Sequence, residues 1–233
     1  MPNLESLYDI EFNEKLGKDF GMVFLSSPKI VSASRNYKTS VVNGRLGNSI
    51  SLFKGKDNAT IECEFWVITD NIHESIREIR QWLYGSGKLR FSDNADAYYE
   101  VLVVDSVQVE KRTLKHGKCN VKFIVYPYEF INEGQFETEE INYNRYSECM
   151  PVYRINGEGI CIQTVNGNEY EANVPGTIII DSRKMQAFKE DYSNANTLVK
   201  GDYEDLILPH GEVSISISNG FKLSIKPNWG YLL

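Results

Sequence analysis

No stretch of the 233-residue chain carries the roughly 20 consecutive apolar residues that a membrane-crossing helix requires. The opening MPNLESLYDIEF holds acidic residues and no apolar segment, so no secretory leader is expected and the chain is expected to fold in a cytoplasm. Positive charge is also short: 25 Lys and Arg stand against 32 Asp and Glu, a formal charge of −7. Nucleic-acid binding normally shows a basic stripe, and no Lys/Arg cluster with interleaved aromatics occurs. The 4 cysteines, Cys63, Cys119, Cys149 and Cys161, form no C-x-x-C pair, which argues against a zinc site. Cys63 and Cys119 sit in alternating strand patterns and read as buried apolar residues. A Cys149–Cys161 bridge stays open on sequence, although reduced thiols suit a cytoplasm better.

The catalytic vocabulary is equally thin. The 3 histidines, His73, His116 and His210, are not spaced as a ligand pair, and no H-E-x-x-H occurs. There is no G-x-S-x-G elbow. Asp181-Ser182 follows an apolar run, where a reactive turn could sit, but Asp and Ser are also ordinary turn formers. The acids Glu129, Glu133, Glu137, Glu139 and Glu140 lack the spacing of a calcium loop and read as a solvated linker or edge strand. No catalytic residue, metal or cofactor is therefore expected.

What is present is strand and turn around one helix. Residues 71–84, NIHESIREIRQWLY, repeat Ile72, Ile76, Ile79 and Leu83 at four-three-four spacing, with Asp70 or Asn71 as a cap and Gly85 as a stop. A lone amphipathic helix among strands must dock on a sheet. Thr60–Ile68, Tyr98–Val109 and Lys118–Tyr126 alternate apolar with polar, and Pro127 is expected to end the last of them. Val41–Asp57, with Asn43-Gly44, reads as a protruding hairpin; Arg45, Leu46, Ile50, Leu52 and Phe53 on such an arm need a partner to cover them. The helix's outward Arg77 and Arg80 are further candidate contacts. Past residue 150 the pattern predicts seven or so short strands, with turns at Asn156-Gly157, Asn166-Gly167, Pro175-Gly176 and Asn219-Gly220. The fold class is mainly β, in two domains, 1–130 and 131–233. Trp229 and Tyr231, or Tyr143 and Tyr146, are the aromatics most suited to stack on a sugar, although a packed terminal strand is the preferred reading of Trp229.

The order of these features resembles the distal tail proteins (Dit) of long-tailed siphophages that infect Gram-positive bacteria. The resemblance rests on the glycine-rich arm at Asn43–Asn48, the Ile61–Phe65 strand, the helix ending Trp82-Leu83, and Gly87–Asp93. Tyr98-Tyr99 and Val125–Tyr128 follow in the first half. The second half contributes Ile178–Ser182, Leu208–Val213, Asn219-Gly220 and Lys226–Trp229. The arm tip reads Asn43-Gly44-Arg45 where the family often has Pro-Gly-Arg.

The resemblance implies an N-terminal β-sandwich with one helix and an extended arm, followed by a galectin-like C-terminal β-sandwich, a jelly roll. It implies a homo-hexameric ring at the tip of a phage tail. Its expected partners are the major tail tube protein, a tail-associated lysin or tail fibre, and a receptor-binding or baseplate protein. The implied place is the virion, with synthesis in the host bacterial cytoplasm from an infecting phage or a prophage. It implies a structural protein of host adhesion and no enzyme. A carbohydrate-binding module for cell-wall glycans is the alternative, and a hydrolase with an unrecognised site comes third.

Overall fold

The computed structural model describes residues 8–131, 136 and 141–233. The protein is mainly β, with one α-helix among these residues. It divides into two compact units, Met1–Glu129 with Leu233, and Phe130–Leu232. The acidic residues Glu133, Glu137, Glu139 and Glu140 lie outside the described residues.

The first unit contains β1 (Ile10–Phe12), β2 (Lys15–Leu16), β3 (Met22–Phe24), β4 (Lys29–Val31), β5 (Arg35–Ser40), β6 (Ser49–Lys56) and β7 (Ala59–Ile68). Helix α1 (Ile72–Trp82), β8 (Gly87–Phe91), β9 (Ala97–Lys111) and β10 (His116–Ile131) follow. The sheet runs β2-β1-β8-β9-β10-β7-β3, with β4 also on β7. Its spine is the antiparallel β7–β10 ladder, in register from Ile68↔His116 to Ala59↔Val125. Side chains alternate across a strand. Ile61, Cys63, Phe65 and Val67 therefore point inward beside Cys119, Val121, Phe123 and Val125, all of them buried. The sheet rolls on itself: Phe24 of β3 lies 6.4 Å from Phe91 of β8, near the far end of the strand order. Phe12 of β1 meets Phe123 of β10 at 6.0 Å.

Helix α1 closes the open side of this roll. Its cap is Asn71, whose side chain accepts from the His73 amide at 3.2 Å. Ile72, Ile79, Trp82 and Leu83 are buried, and the Trp82 indole donates to the Phe12 carbonyl at 2.9 Å. The expected stripe is rotated slightly. Ile76 is half-buried, while Ser75 turns inward, its Oγ 2.8 Å from Thr69 Oγ1. Pro127 does not end its strand either; β10 continues through it to Ile131.

The protruding arm begins earlier than its glycines suggest. β5 and β6 form a two-stranded ribbon with a tip at residues 41–48. The ribbon is a direct continuation of the β4–β7 pairing. Lys29↔Glu62, Ile30↔Ile61 and Val31↔Thr60 lead, without a change of register, to Arg35↔Lys56. At the joint the Asp57 amide donates to the Ser34 carbonyl at 3.1 Å, and the Ser34 hydroxyl donates to the Asp57 carboxylate at 2.6 Å. The register then shifts between Arg35 and Tyr37.

The second unit contains β11 (Tyr143–Asn144), β12 (Val152–Val165), β13 (Asn168–Asp181), β14 (Gln186–Lys189) and β15 (Val199–Lys200). β16 (Gly211–Glu212), β17 (Ile215–Ile217), β18 (Lys222–Lys226) and β19 (Gly230–Leu232) complete it. The expectation of short strands holds for β11 and β14–β19, which are two to five residues long, but four of the expected strands merge into two. β12 and β13 are 14 residues each, joined only at Asn166-Gly167, both with positive φ. Asn156-Gly157 and Pro175-Gly176 are not turns. Gly157 and Gly176 pair directly across the ladder, both at positive φ, so the hairpin bends there without ending. A Cβ on Gly157 would also run into the Phe221 ring. Asn219-Gly220 is no hairpin turn either. β17 and β18 do not pair with each other; both pair antiparallel with the same strand, β12, at its two ends. Asn219-Gly220 is a local excursion between two segments of one edge.

The rotated helix stripe yields a test. Ile79→Ala should cost about 2–5 kcal/mol, the range for emptying a filled core site. Ile76→Ala should cost clearly less. Urea unfolding of the two variants measures the difference.

Candidate functional site

Among the described residues the arm carries a run of exposed apolar side chains. Tyr37, Ile50 and Leu52 are 62%, 62% and 63% exposed, and Leu46 at the tip is fully exposed. A soluble protein rarely leaves such a group uncovered. The Phe53 side chain lies outside the described residues. Arg45 is at the exposed tip, and Arg77 and Arg80 are exposed on the outer face of α1. Tyr37 is not legible as an arm residue, because the glycines draw the boundary at Val41; only the β5–β6 register places it beside Leu52.

The second unit gathers the expected aromatics, Tyr231 included, into one patch and adds His210 and Arg145 to it. Tyr146 packs against Trp229 at 5.5 Å and Tyr231 at 5.4 Å. Tyr143 meets His210 edge-on at 6.5 Å, and His210 Nδ1 donates to the Tyr146 carbonyl at 2.8 Å. The Arg145 guanidinium lies over the Tyr146 ring and donates to its hydroxyl at 2.7 Å. Tyr146 and Trp229 are both packed on the core of their own unit, while Tyr143 and Tyr231 remain exposed.

The patch is organised from beneath by Asn144, a fully buried amide. Its Nδ2 faces the carbonyls of Ser147, Leu208 and Pro209 at 2.9, 3.1 and 3.1 Å, and its Oδ1 accepts from the Tyr146 amide at 2.9 Å. The last bond is an Asx turn, which Asn favours. Cys149 sits beside it. Burial pushes the Cys149 thiol up to about 11, so it stays protonated at neutral pH.

The residues considered for chemistry have structural partners. Asp181 Oδ1 accepts from the amides of Arg183 and Lys184, and Ser182 Oγ donates to the Pro151 carbonyl. His73 Nε2 lies 3.0 Å from Lys111 Nζ, and His116 Nδ1 lies 3.1 Å from Thr113 Oγ1. All 4 cysteines are free and buried. Among the described residues no group of three or more His, Cys, Asp and Glu is placed to hold a metal ion. No helix is long and apolar enough to cross a membrane.

A cavity of about 170 Å³ opens in the first unit between Tyr8, Asp9, Lys18, Gly21, Met22, Val23 and Ile68. Asp9 is its one carboxylate. Burial raises its pKa above the ordinary value of 3.8, outweighing the Lys18 and Ile10 amides that donate to the carboxylate. The Lys18 bond, at 3.2 Å, ties the turn that follows β2 to the start of β1, where the Ile10 amide donates at 2.8 Å, and this gives Asp9 a structural task.

Neither a protein-family model nor a curated protein matches the sequence. Among solved structures, the chain is similar to the crystal structure of the SPP1 Dit protein (gp 19.1), described as a paradigm of the hub adsorption apparatus in phages infecting Gram-positive bacteria. The superposition has a TM-score of 0.71 and covers 94% of this chain and 98% of that one, at 10% sequence identity. The two chains share a fold across both units.

Two measurements follow from these sites. Asn144→Ala strips donors from buried carbonyls and should destabilise the second unit by about 1–3 kcal/mol, read by thermal or urea unfolding. Asp9 holds a raised folded pKa, so its contribution is most favourable below 3.8 and is lost as pH rises through the folded value. Asp9→Asn removes that loss. The difference in stability, variant minus parent, should therefore rise as pH climbs out of the acid range.

Proposed function

We propose that this chain is the distal hub protein of a phage tail, a structural part that joins the tail tube to the host-adhesion apparatus. The observation that carries the reading is the likeness to SPP1 Dit over 94% of this chain, both units included. In this reading copies of the chain close into a six-membered ring. The first unit builds the ring and the galectin-like second unit stands outside it. Its neighbours are the major tail protein on one side and a tail-associated lysin, fibre or receptor-binding protein on the other. The protein resides in the virion, whether the phage is infecting or carried as a prophage, and performs no chemistry.

The arm supports an assembly role on physical grounds. Covering the side chains of Ile50 and Leu52 on a neighbour contributes roughly 1.5–3 kcal/mol for each fully buried residue. A closed ring supplies such a neighbour to every copy through a head-to-tail contact. The packing of Tyr146 and Trp229 into the core of their own unit supports this structural reading over a glycan-binding one.

Light scattering on the concentrated chain should give about six times its 26.7 kDa mass. Deleting Gly44–Lys56 should leave monomers whose two units still unfold cooperatively. Arg77→Glu, on the outer face of α1, should spare folding and weaken the ring. A strictly monomeric parent chain at high concentration would count against the proposal.

A further inference from the structure

Four asparagines stand directly before a glycine: Asn43, Asn156, Asn166 and Asn219. Such a pair is prone to cyclise, because a glycine without a Cβ lets its own amide nitrogen reach the asparagine side chain. The reacting atoms are the same in all four pairs. A difference in their reactivity is therefore made by the fold.

Three of the pairs are held. Asn156 lies inside β12, paired with Thr177 on one side and Lys222 on the other, and its Oδ1 accepts from the Thr177 hydroxyl at 3.0 Å. Asn166 turns the β12–β13 hairpin, but its Oδ1 accepts from the Ser214 amide at 2.8 Å and its own amide donates to the Ser214 carbonyl at 2.8 Å. Asn219 is exposed in a short excursion that is anchored at both ends. The Ser218 amide donates to the Ile162 carbonyl at 3.0 Å, Lys222 is paired with Asn156, and the Phe221 ring between them lies against Gly157.

Asn43 is different. It is exposed in the arm tip, residues 41–48. Among the described residues neither its side-chain amide nor the Gly44 amide has a hydrogen-bond partner. The turn is closed past them, by the Arg45 amide donating to the Val42 carbonyl at 3.2 Å. Gly44 has a φ of 83°, and nothing lies within 4 Å of the place a Cβ would occupy. The Arg45 cation follows, and a nearby positive charge favours the deprotonated state of an attacking nitrogen.

We infer that Asn43 is a site of self-modification, deamidating through a cyclic imide while the protein stays folded. The Gly44 nitrogen loses its proton to solvent base and attacks Asn43 Cγ. A bond forms between that nitrogen and Cγ, the Cγ–Nδ2 bond breaks, and the side-chain nitrogen takes a proton from water and leaves as ammonia. Water then opens the ring. Cleavage of the new bond gives aspartate. Cleavage of the bond to the former backbone carbonyl gives isoaspartate, with the side-chain methylene now in the main chain. Water is the co-reactant, and no electrons are exchanged. Either product places a carboxylate within residues 35–56, which contain Arg35, Lys38, Arg45, Lys54 and Lys56 and no acidic residue. An aged chain thus carries a different arm tip from a new one, whether or not it has entered a ring.

The dilute full chain, incubated in warm neutral buffer and digested with trypsin at intervals, tests this. Cleavage after Lys38 and Arg45 isolates Asn43 in the peptide Thr39–Arg45. Mass spectrometry reads a gain of one dalton in ordinary water and of three in water carrying heavy oxygen. In the folded chain Asn43 should convert at least tenfold faster than Asn156 and Asn166, and at least threefold faster than Asn219. In guanidinium the four rates should converge to within threefold. Raising the pH should speed the conversion, since the nitrogen must lose a proton before it attacks. Asn43→Gln keeps Gly44 and the exposed tip, and should remove the product while circular dichroism and melting temperature stay unchanged. Equal rates at all four sites in the folded chain, a lead for any of the other three, or an Asn43 that converts only in guanidinium would overturn the assignment. A rate insensitive to pH would overturn the cyclic route.

Discussion

The β7–β10 ladder is the constraint on which the first unit depends. It alternates cleanly, its inward residues fill the core, and each end of β7 launches something else. At Ile68 the chain turns into the Asn71 cap and the helix that closes the roll. At Ala59 the same strand runs back, in an unchanged register with β4, into the arm. A one-residue slip would send every inward side chain to solvent. The core thus depends on the β7–β10 pairing, while the faces of the ribbon are set by its own β5–β6 pairing beyond the register shift between Arg35 and Tyr37.

The second unit solves a different problem. Its two long strands must bend to enclose a core, and the bend is made by glycines that face each other, Gly157 and Gly176. One strand's worth of edge is then supplied in two pieces, β17 and β18, with Asn219-Gly220 looping out between them. Beneath the aromatic patch a single buried amide, Asn144, ties two loops that are far apart in sequence. The rings above it are spent largely on one another, which is how a packed surface behaves.

Periodicity made the β7 and β10 strands, the capped helix and the presence of an arm legible, because each is a local pattern of burial. Pro127, the Gly157–Gly176 pair and Asn219-Gly220 depart from expectation for one reason: turn residues report local backbone freedom, and a strand or its edge can hold the same residues without ending. Ile76 and Ser75 exchanged roles because a helix stripe is wider than its spacing reveals, and Thr69 supplied Ser75 with a partner. The proximity of Tyr146, His210 and Tyr231 is created by tertiary pairing and has no linear signature. The arm's apolar face was half visible. Ile50 and Leu52 could be suspected, but Tyr37 joins them only once the ribbon's register is known.

In the proposed ring the arm is the means by which one copy recognises the next. Electron cryo-microscopy of the assembled, unmodified chain tests this most directly. The predicted result is a closed ring with six-fold symmetry in which each ribbon crosses to the adjacent copy and lays Tyr37, Ile50 and Leu52 against it. Particles without rotational symmetry, or ribbons folded back on their own subunit, would contradict it.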